Sequence, residues 1–209
     1  MRRTFRTATF AISGLTALAW VAAVVLSLND YAATAMGFIP ARLSGAVASL
    51  PAVPAVLTPL TATLVHANLL HIATNLLVFV WCGHEVERAL GRTSLVVIYV
   101  VGAFAAAGAQ WLADPLGTVP MIGASGAISA IMAAFALSFG RPKLITRSPR
   151  TNRWLHIAHL LVAWVILQLM LGWLMGGQGY LLATPAHIGG FAAGLLLQRP
   201  LLLWRYRNA

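Results

Sequence analysis

Gly123-Ala124-Ser125-Gly126-Ala127 is a turn of small residues that delivers one serine into the apolar run from Ile128 to Phe139. Small residues let a neighbouring helix come close, so this hydroxyl is expected inside a helix bundle within a membrane. The rest of the chain is of the same kind. Hydrophobic residues make up 60% of the 209 and charged residues 9%, against about a quarter charged in a soluble domain. The mean hydropathy is +0.83. Apolar runs of about 20 residues, the length that crosses a bilayer, recur along the chain with no polar block between them. The expectation is an all-α integral membrane protein, a six-helix bundle forming one domain over residues 1–209.

The predicted spans are 10–28, 61–84, 94–113, 124–140, 154–175 and 183–203. The 19 apolar residues from Phe10 to Leu28 exceed the 7 to 15 of a signal-peptide core, so a retained span is expected although Ala33-Thr34-Ala35 offers a small-x-small site. Between spans one and two, Pro40, Pro51 and Pro54 argue against a continuous helix, and the scarcity of charge points to short pieces at the membrane interface. Span two is polar for its setting, with His66, Asn68, His71, Thr74 and Asn75. Such groups are costly in lipid and usually functional. Gly176-Gly177-Gln178-Gly179-Tyr180 reads as a mobile linker before span six.

A net charge of +10 raises nucleic-acid binding, and the placement of the charge argues against it. With the N-terminus in the cytoplasm, thirteen basic residues fall inside and Arg42 alone outside. That is the asymmetry of topology determinants, with few aromatics interleaved. Both termini are then cytoplasmic. One cysteine, Cys82, excludes an intrachain disulfide and a cysteine metal cluster. His156 and His159, three apart, could hold a metal, but with no third ligand near them placement at the membrane interface is expected.

An untilted helix rises about 1.5 Å per residue through a hydrocarbon core about 30 Å thick. Counted from the inner boundary, Ser125 is then about 22 Å up, His71 about 21 Å, Asn75 about 15 Å and His187 about 18 Å. All four fall in the outer half of the membrane. His71 and Asn75 share one face of span two, and His187, Gly190 and Gly194 one face of span six. The glycines let span six approach Gly126, Ala130, Ala133 and Ala134 of span four, which would bring His187 to Ser125. A neutral imidazole can then take the serine proton as general base. The oxyanion that follows needs donors, and the Ser125 backbone N–H, the Asn75 amide and a His71 ring N–H are candidates. An acidic third member is hard to supply. Asp30, Glu85, Glu87 and Asp114 are the only acids, and Asp114 is the sole weak candidate, so a Ser-His dyad is expected. Gln168 reads as an interhelical hydrogen-bonding residue and Cys82 as a packing residue.

These residues resemble the rhomboid intramembrane serine proteases. The likeness is carried in order by Thr58-Pro59-Leu60-Thr61, His66-x-x-x-x-His71-x-x-x-Asn75, Gly83-x-x-x-Glu87-x-x-x-Gly91, Gly123-Ala124-Ser125-Gly126-Ala127 and Ala186-His187-x-x-Gly190-x-x-x-Gly194. The resemblance implies a nucleophile at Ser125, a base at His187 and an oxyanion site lined by His71 and Asn75. It implies structural roles for His66 at the outer loop and Glu87 at the inner end of span two. It also implies cleavage of single-pass or multi-pass membrane-protein substrates within the lipid bilayer, near its outer face, at small helix-weakening residues, without metal or cofactor. The mobile 176–180 loop would resemble the cap that admits water and substrate. The lean form suggests a bacterial plasma membrane by analogy.

Two departures from the family pattern stand out. Many members carry an aromatic four residues after the nucleophile, against which the base stacks; here Ser129 stands there. The Trp-Arg pair of some first loops is missing, and Arg42 is the only basic residue in that region. The chief alternative is a non-catalytic rhomboid-like protein that binds transmembrane clients. Zinc and aspartyl chemistries lack an H-E-x-x-H and an aspartate pair within spans, and a transporter would call for repeats or a buried charge pathway.

Overall fold

The computed structural model describes residues 7–47, 52–140, 144–176 and 183–207. Helix α1 (Ala8–Val25) starts at Thr7, whose hydroxyl accepts from the Phe10 amide, and ends just before Ser27, which takes a positive φ of 55°. The helix therefore stops three residues short of the expected Leu28. Short helices α2 (Asn29–Met36) and α3 (Pro40–Leu43) follow, then a 3-10 turn over Ala55–Leu57, helix α4 (Thr58–Thr61) and a second 3-10 turn over Ala62–Leu64.

The second span is where expectation and structure part. In place of one helix over 61–84, the chain turns tightly through residue 64, breaks, and begins helix α5 (Leu69–Leu90) eight residues late. Asn68 is the cause. It sits in extended conformation (φ −160°, ψ 174°), and its side-chain oxygen accepts the His71 amide at 2.9 Å, satisfying a first-turn donor that has no carbonyl partner. His66 thus precedes the helix, whereas His71 and Asn75 lie on it. At the other end α5 runs six residues past His84 to Leu90, and Gly91, with a φ of 90°, turns the chain directly into α6 (Arg92–Ala113).

Helix α7 (Ser125–Phe139) is 15 residues long, about 22 Å, shorter than the hydrocarbon core. It is also enclosed: Gly126, Ala127, Ile128, Ser129, Ala130, Ile131, Ala133 and Ala134 are all buried. A helix surrounded by protein has no lipid thickness to match, so its first residue can begin below the membrane surface. Its packing neighbours are chiefly α6, α5 and the last helix α9 (Thr184–Arg205), with α1 standing against α5. Helix α8 (Pro149–Gly176) lies outside, touching mainly α9. One stripe of α8, Ile157, Leu160, Leu161 and Trp164, meets Ala133, Phe191 and Leu195, while Val162, Ile166, Leu169 and Met170 are exposed and suited to lipid. Residues 177–182, most of the expected mobile linker, lie outside the described residues.

By length and composition α1, α5, α6 and residues 149–170 of α8 can each cross a bilayer. The protein is an all-helical integral membrane bundle. In such a bundle there is no hydrophobic drive between helices, and close van der Waals contact between small residues holds them together. Helix α9 supplies the tightest case: a methyl group at Gly190 would overlap the Gly126 carbonyl oxygen, and one at Gly194 that of Ala130.

Candidate active site

The serine turn is held by hydrogen bonds from three segments distant in sequence. Phe38 and Met121 exchange backbone bonds of 3.0 and 2.8 Å, the Gly123 amide donates to the Ala62 carbonyl at 2.9 Å, and the Ala124 amide donates to His66 Nε2 at 3.4 Å. Gly123 has φ +108°, a conformation an L side chain rarely adopts. The position is closed for a second reason, because a Cβ there would stand 2.6 Å from His71 Nε2. The His71 ring therefore lies against the turn, and the buried His66 ring meets it edge-on with centroids 4.9 Å apart.

Ser125 opens α7, so its backbone N–H is one of the first-turn donors with no intrahelical acceptor. Its hydroxyl lies 2.7 Å from His187 Nε2, joining residues 62 apart in sequence. Gly190 and Gly194 pass close along α7 on the same helix as His187. His187 is buried, and its other ring nitrogen, Nδ1, lies 2.9 Å from Gln168 Oε1. Its carbonyl accepts from Trp164 Nε1 at 3.2 Å, and Trp164 stacks on Phe191 at 4.7 Å between ring centroids. The imidazole is thus bonded on both nitrogens, to α7 on one side and α8 on the other.

This arrangement bears on two sequence readings. The group behind the imidazole is an amide and not an acid: Asp114 is exposed at the end of α6, where its carbonyl accepts from the Gly117 amide. Gln168 does bond between helices, and its partner is the expected base. Gln168 sits four residues beyond Trp164 and so falls on the stripe that α8 turns toward α9.

The expected oxyanion donors are placed less directly. Asn75 is buried and its Nδ2 donates to the His71 carbonyl of its own helix at 2.8 Å. That commits one amide hydrogen and leaves one, while Asn75 Oδ1 has no hydrogen-bond partner. No hydrogen bond joins His71 or Asn75 to Ser125. A cavity of about 20 Å³ adjoins Ser125 and His187, walled by Thr63, Met121, Gly126 and Ala183 among others, with room for one water-sized group.

Two further residues make their contacts away from Ser125 and His187. Glu87 accepts the Ala8 and Thr9 amides at 2.8 and 2.9 Å and the Thr9 hydroxyl at 2.6 Å, tying the start of α1 to α5. Arg42 donates to the Val53 carbonyl at 2.6 Å and so braces the first loop. Where the resemblance led one to look for an aromatic, Ser129 is buried and bonds the Ser125 carbonyl at 2.8 Å.

An apolar helical bundle that encloses a hydrogen-bonded serine and imidazole at a helix start defines a narrow class of membrane protein. Residues 54–204 match the family model described as Rhomboid domain, and the chain belongs to the rhomboid family. It is similar to the rhomboid protease GlpG of Serratia proteamaculans (33% identical over 136 residues, 63% of this chain and 43% of that one). It is also similar to GlpG of Pectobacterium atrosepticum (32% over 139 residues, 64% and 44%). RHOMBOID-like protein 5 of Arabidopsis thaliana is 27% identical over 138 residues, 66% of this chain and 41% of that one. The chain spans less than half the length of these relatives.

Proposed function

We propose that this protein is an intramembrane serine endopeptidase that works by a Ser125–His187 dyad. The observation that carries the reading is the 2.7 Å contact between Ser125 Oγ and His187 Nε2 at the start of a buried helix. In the proposed cycle Nε2 takes the hydroxyl proton as Ser125 Oγ attacks a peptide carbonyl, giving a tetrahedral oxyanion. The Ser125 N–H, the remaining Asn75 amide hydrogen and a His71 ring N–H stabilise that charge. His187 then returns the proton to the departing amine, leaving an acyl-enzyme. Water in the cavity beside Ser125, deprotonated by the same nitrogen, releases the new carboxylate and restores the hydroxyl.

Substrates are transmembrane segments of single-pass or multi-pass membrane proteins, cut near the outer face of the bilayer. The small residues walling the site favour a partly unwound segment with small side chains at the scissile bond. The chain is read as one domain with six crossings, α7 and α9 completing the set, and both termini in the cytoplasm of a bacterium at its plasma membrane.

Purified protein in detergent is given a single-span reporter with an Ala-rich outer end, alongside Ser125→Ala and His187→Ala. Cleavage by wild type that either substitution abolishes supports the dyad. A folded wild type that cuts none of a reporter panel and fails to react with a fluorophosphonate serine probe overturns it in favour of a client-binding protein.

A further inference from the structure

The base has a second contact that the dyad itself does not need. His187 Nδ1 faces Gln168 Oε1 at 2.9 Å, and both side chains are buried. A neutral imidazole carries one ring proton, and which nitrogen holds it is set by what the other nitrogen meets. An amide oxygen at Nδ1 can only accept, so it keeps the proton on Nδ1 and leaves the Nε2 lone pair for the Ser125 hydroxyl. The opposite tautomer would put an N–H against that hydroxyl and leave two acceptors facing each other across Nδ1.

Orientation is at stake as well as protonation. The position four residues after the nucleophile is Ser129, whose short side chain is turned back onto the Ser125 carbonyl. It offers no ring for His187 to lie against. His187 is held instead from α8, its ring by Gln168 at Nδ1 and its backbone carbonyl by Trp164 Nε1. The ring of Trp164 is in turn fixed by its stack on Phe191, one helical turn beyond His187 on α9.

We propose that Gln168 is a positioning residue for the base: its side-chain oxygen selects the Nδ1–H tautomer of His187 and fixes the ring for proton transfer with Ser125. This rests on the protease reading above. Gln168 touches neither the nucleophile nor the scissile bond and acts only through His187. Because it stands on α8, the outermost helix, the alignment of the base depends on α8 being seated against α9. Any displacement of α8 that breaks the 2.9 Å contact also frees the imidazole to turn.

The test compares wild type with Gln168→Met, which keeps the length and removes the acceptor, and Gln168→Glu, which keeps an acceptor at the same reach. Histidine-labelled protein in detergent is examined by nitrogen NMR, with the His187 signal assigned by its loss in His187→Asn, and reporter cleavage is measured in parallel. Gln168→Met is expected to lose the Nδ1–H signature and to lower kcat about fivefold to tenfold, the equivalent of one hydrogen bond. KM and melting behaviour should stay near wild type, and Gln168→Glu should recover the tautomer. An unchanged tautomer with kcat within twofold in Gln168→Met overturns the proposal and leaves the dyad intact. If wild type cuts nothing and does not react with a fluorophosphonate probe, the protease reading fails, while the NMR comparison still decides what Gln168 does.

Discussion

Gly190 of α9 lies directly over the carbonyl oxygen of Gly126 in α7, with no room for a methyl group between them. The obstruction is backbone, which cannot swing aside, so Gly190→Ala must push α9 away from α7. His187 is three residues before Gly190 on the same helix and would move with it. A misplacement of about 1 Å can cost about a hundredfold in rate, and overpacking costs typically about 1–3 kcal/mol in stability. Gly190→Ala is expected to lose at least that hundredfold in Ser125 labelling by a fluorophosphonate, with a lowered melting temperature. Gly194→Ala, which meets the Ala130 carbonyl, should destabilise comparably. Labelling at the wild-type rate in a folded Gly190→Ala would show that helix separation does not set the Ser125–His187 distance.

Gly123 joins backbone strain to contact with an expected oxyanion donor. An alanine there would hold φ +108° at a cost of about 1–3 kcal/mol, and its methyl would displace the His71 ring. The variant should be less stable and also slower per folded molecule, by about a hundredfold or more if the His71 N–H is an oxyanion donor. Gly108→Ala provides the comparison, since nothing lies within 4 Å of that position, five residues before the end of α6. It should be neutral or stabilise by about 0.5–1 kcal/mol. Cleavage rates normalised to folded protein separate the two effects, and equal rates for both variants would remove His71 from the reaction.

Glu87 makes its bonds far from the candidate site. Its carboxylate receives three donors from Ala8 and Thr9 at the start of α1. Asn75 is twelve residues away along α5, about 18 Å. Glu87→Ala strips those donors of their partner and should cost about 2 kcal/mol. Thermal unfolding should record the loss, while activity per folded molecule stays within about twofold. A large fall in kcat without a stability change would mean that α1 bears on the chemistry.

Ser125 and His187 could be paired from sequence because two independent constraints agreed. Residue counts put Ser125 and His187 at similar depth, and the small residues at Gly126, Gly190 and Gly194 marked the faces that let two helices meet. The start of α5 was misplaced because an apolar run hides a break when its capping residue is also a plausible helix residue. Asn68 is such a residue, and the bond from the His71 amide to its side chain exists only once the chain is already extended there. Gln168 could be read as polar and buried, but its partner depends on the rotation of α8 about its own axis. The lipid-facing side of α8 is as apolar as the packed side, so the pattern of hydrophobic residues does not fix that rotation.

Ser129 decides whether this chain is a weakened relative of proteins with an aromatic there or a differently built one. Its side chain is buried and turned back onto its own helix, in a region where residues 126–134 of α7 are almost all enclosed by neighbours. An aromatic side chain has no space to enter, so Ser129→Tyr is expected to cost about 1–3 kcal/mol by overpacking and to slow cleavage. Ser129→Ala removes only a bond to a helix carbonyl and should change stability by less than about 1 kcal/mol and the rate by less than twofold. Melting curves in detergent and fluorophosphonate labelling of Ser125 measure both. If Ser129→Tyr instead labelled faster with an unchanged melting temperature, the wild-type imidazole would be the poorly held one, and the contact from Gln168 would not suffice to orient it. A loss in Ser129→Tyr together with a loss in Gln168→Met would mean that the chain has moved the support of its base from α7 to α8.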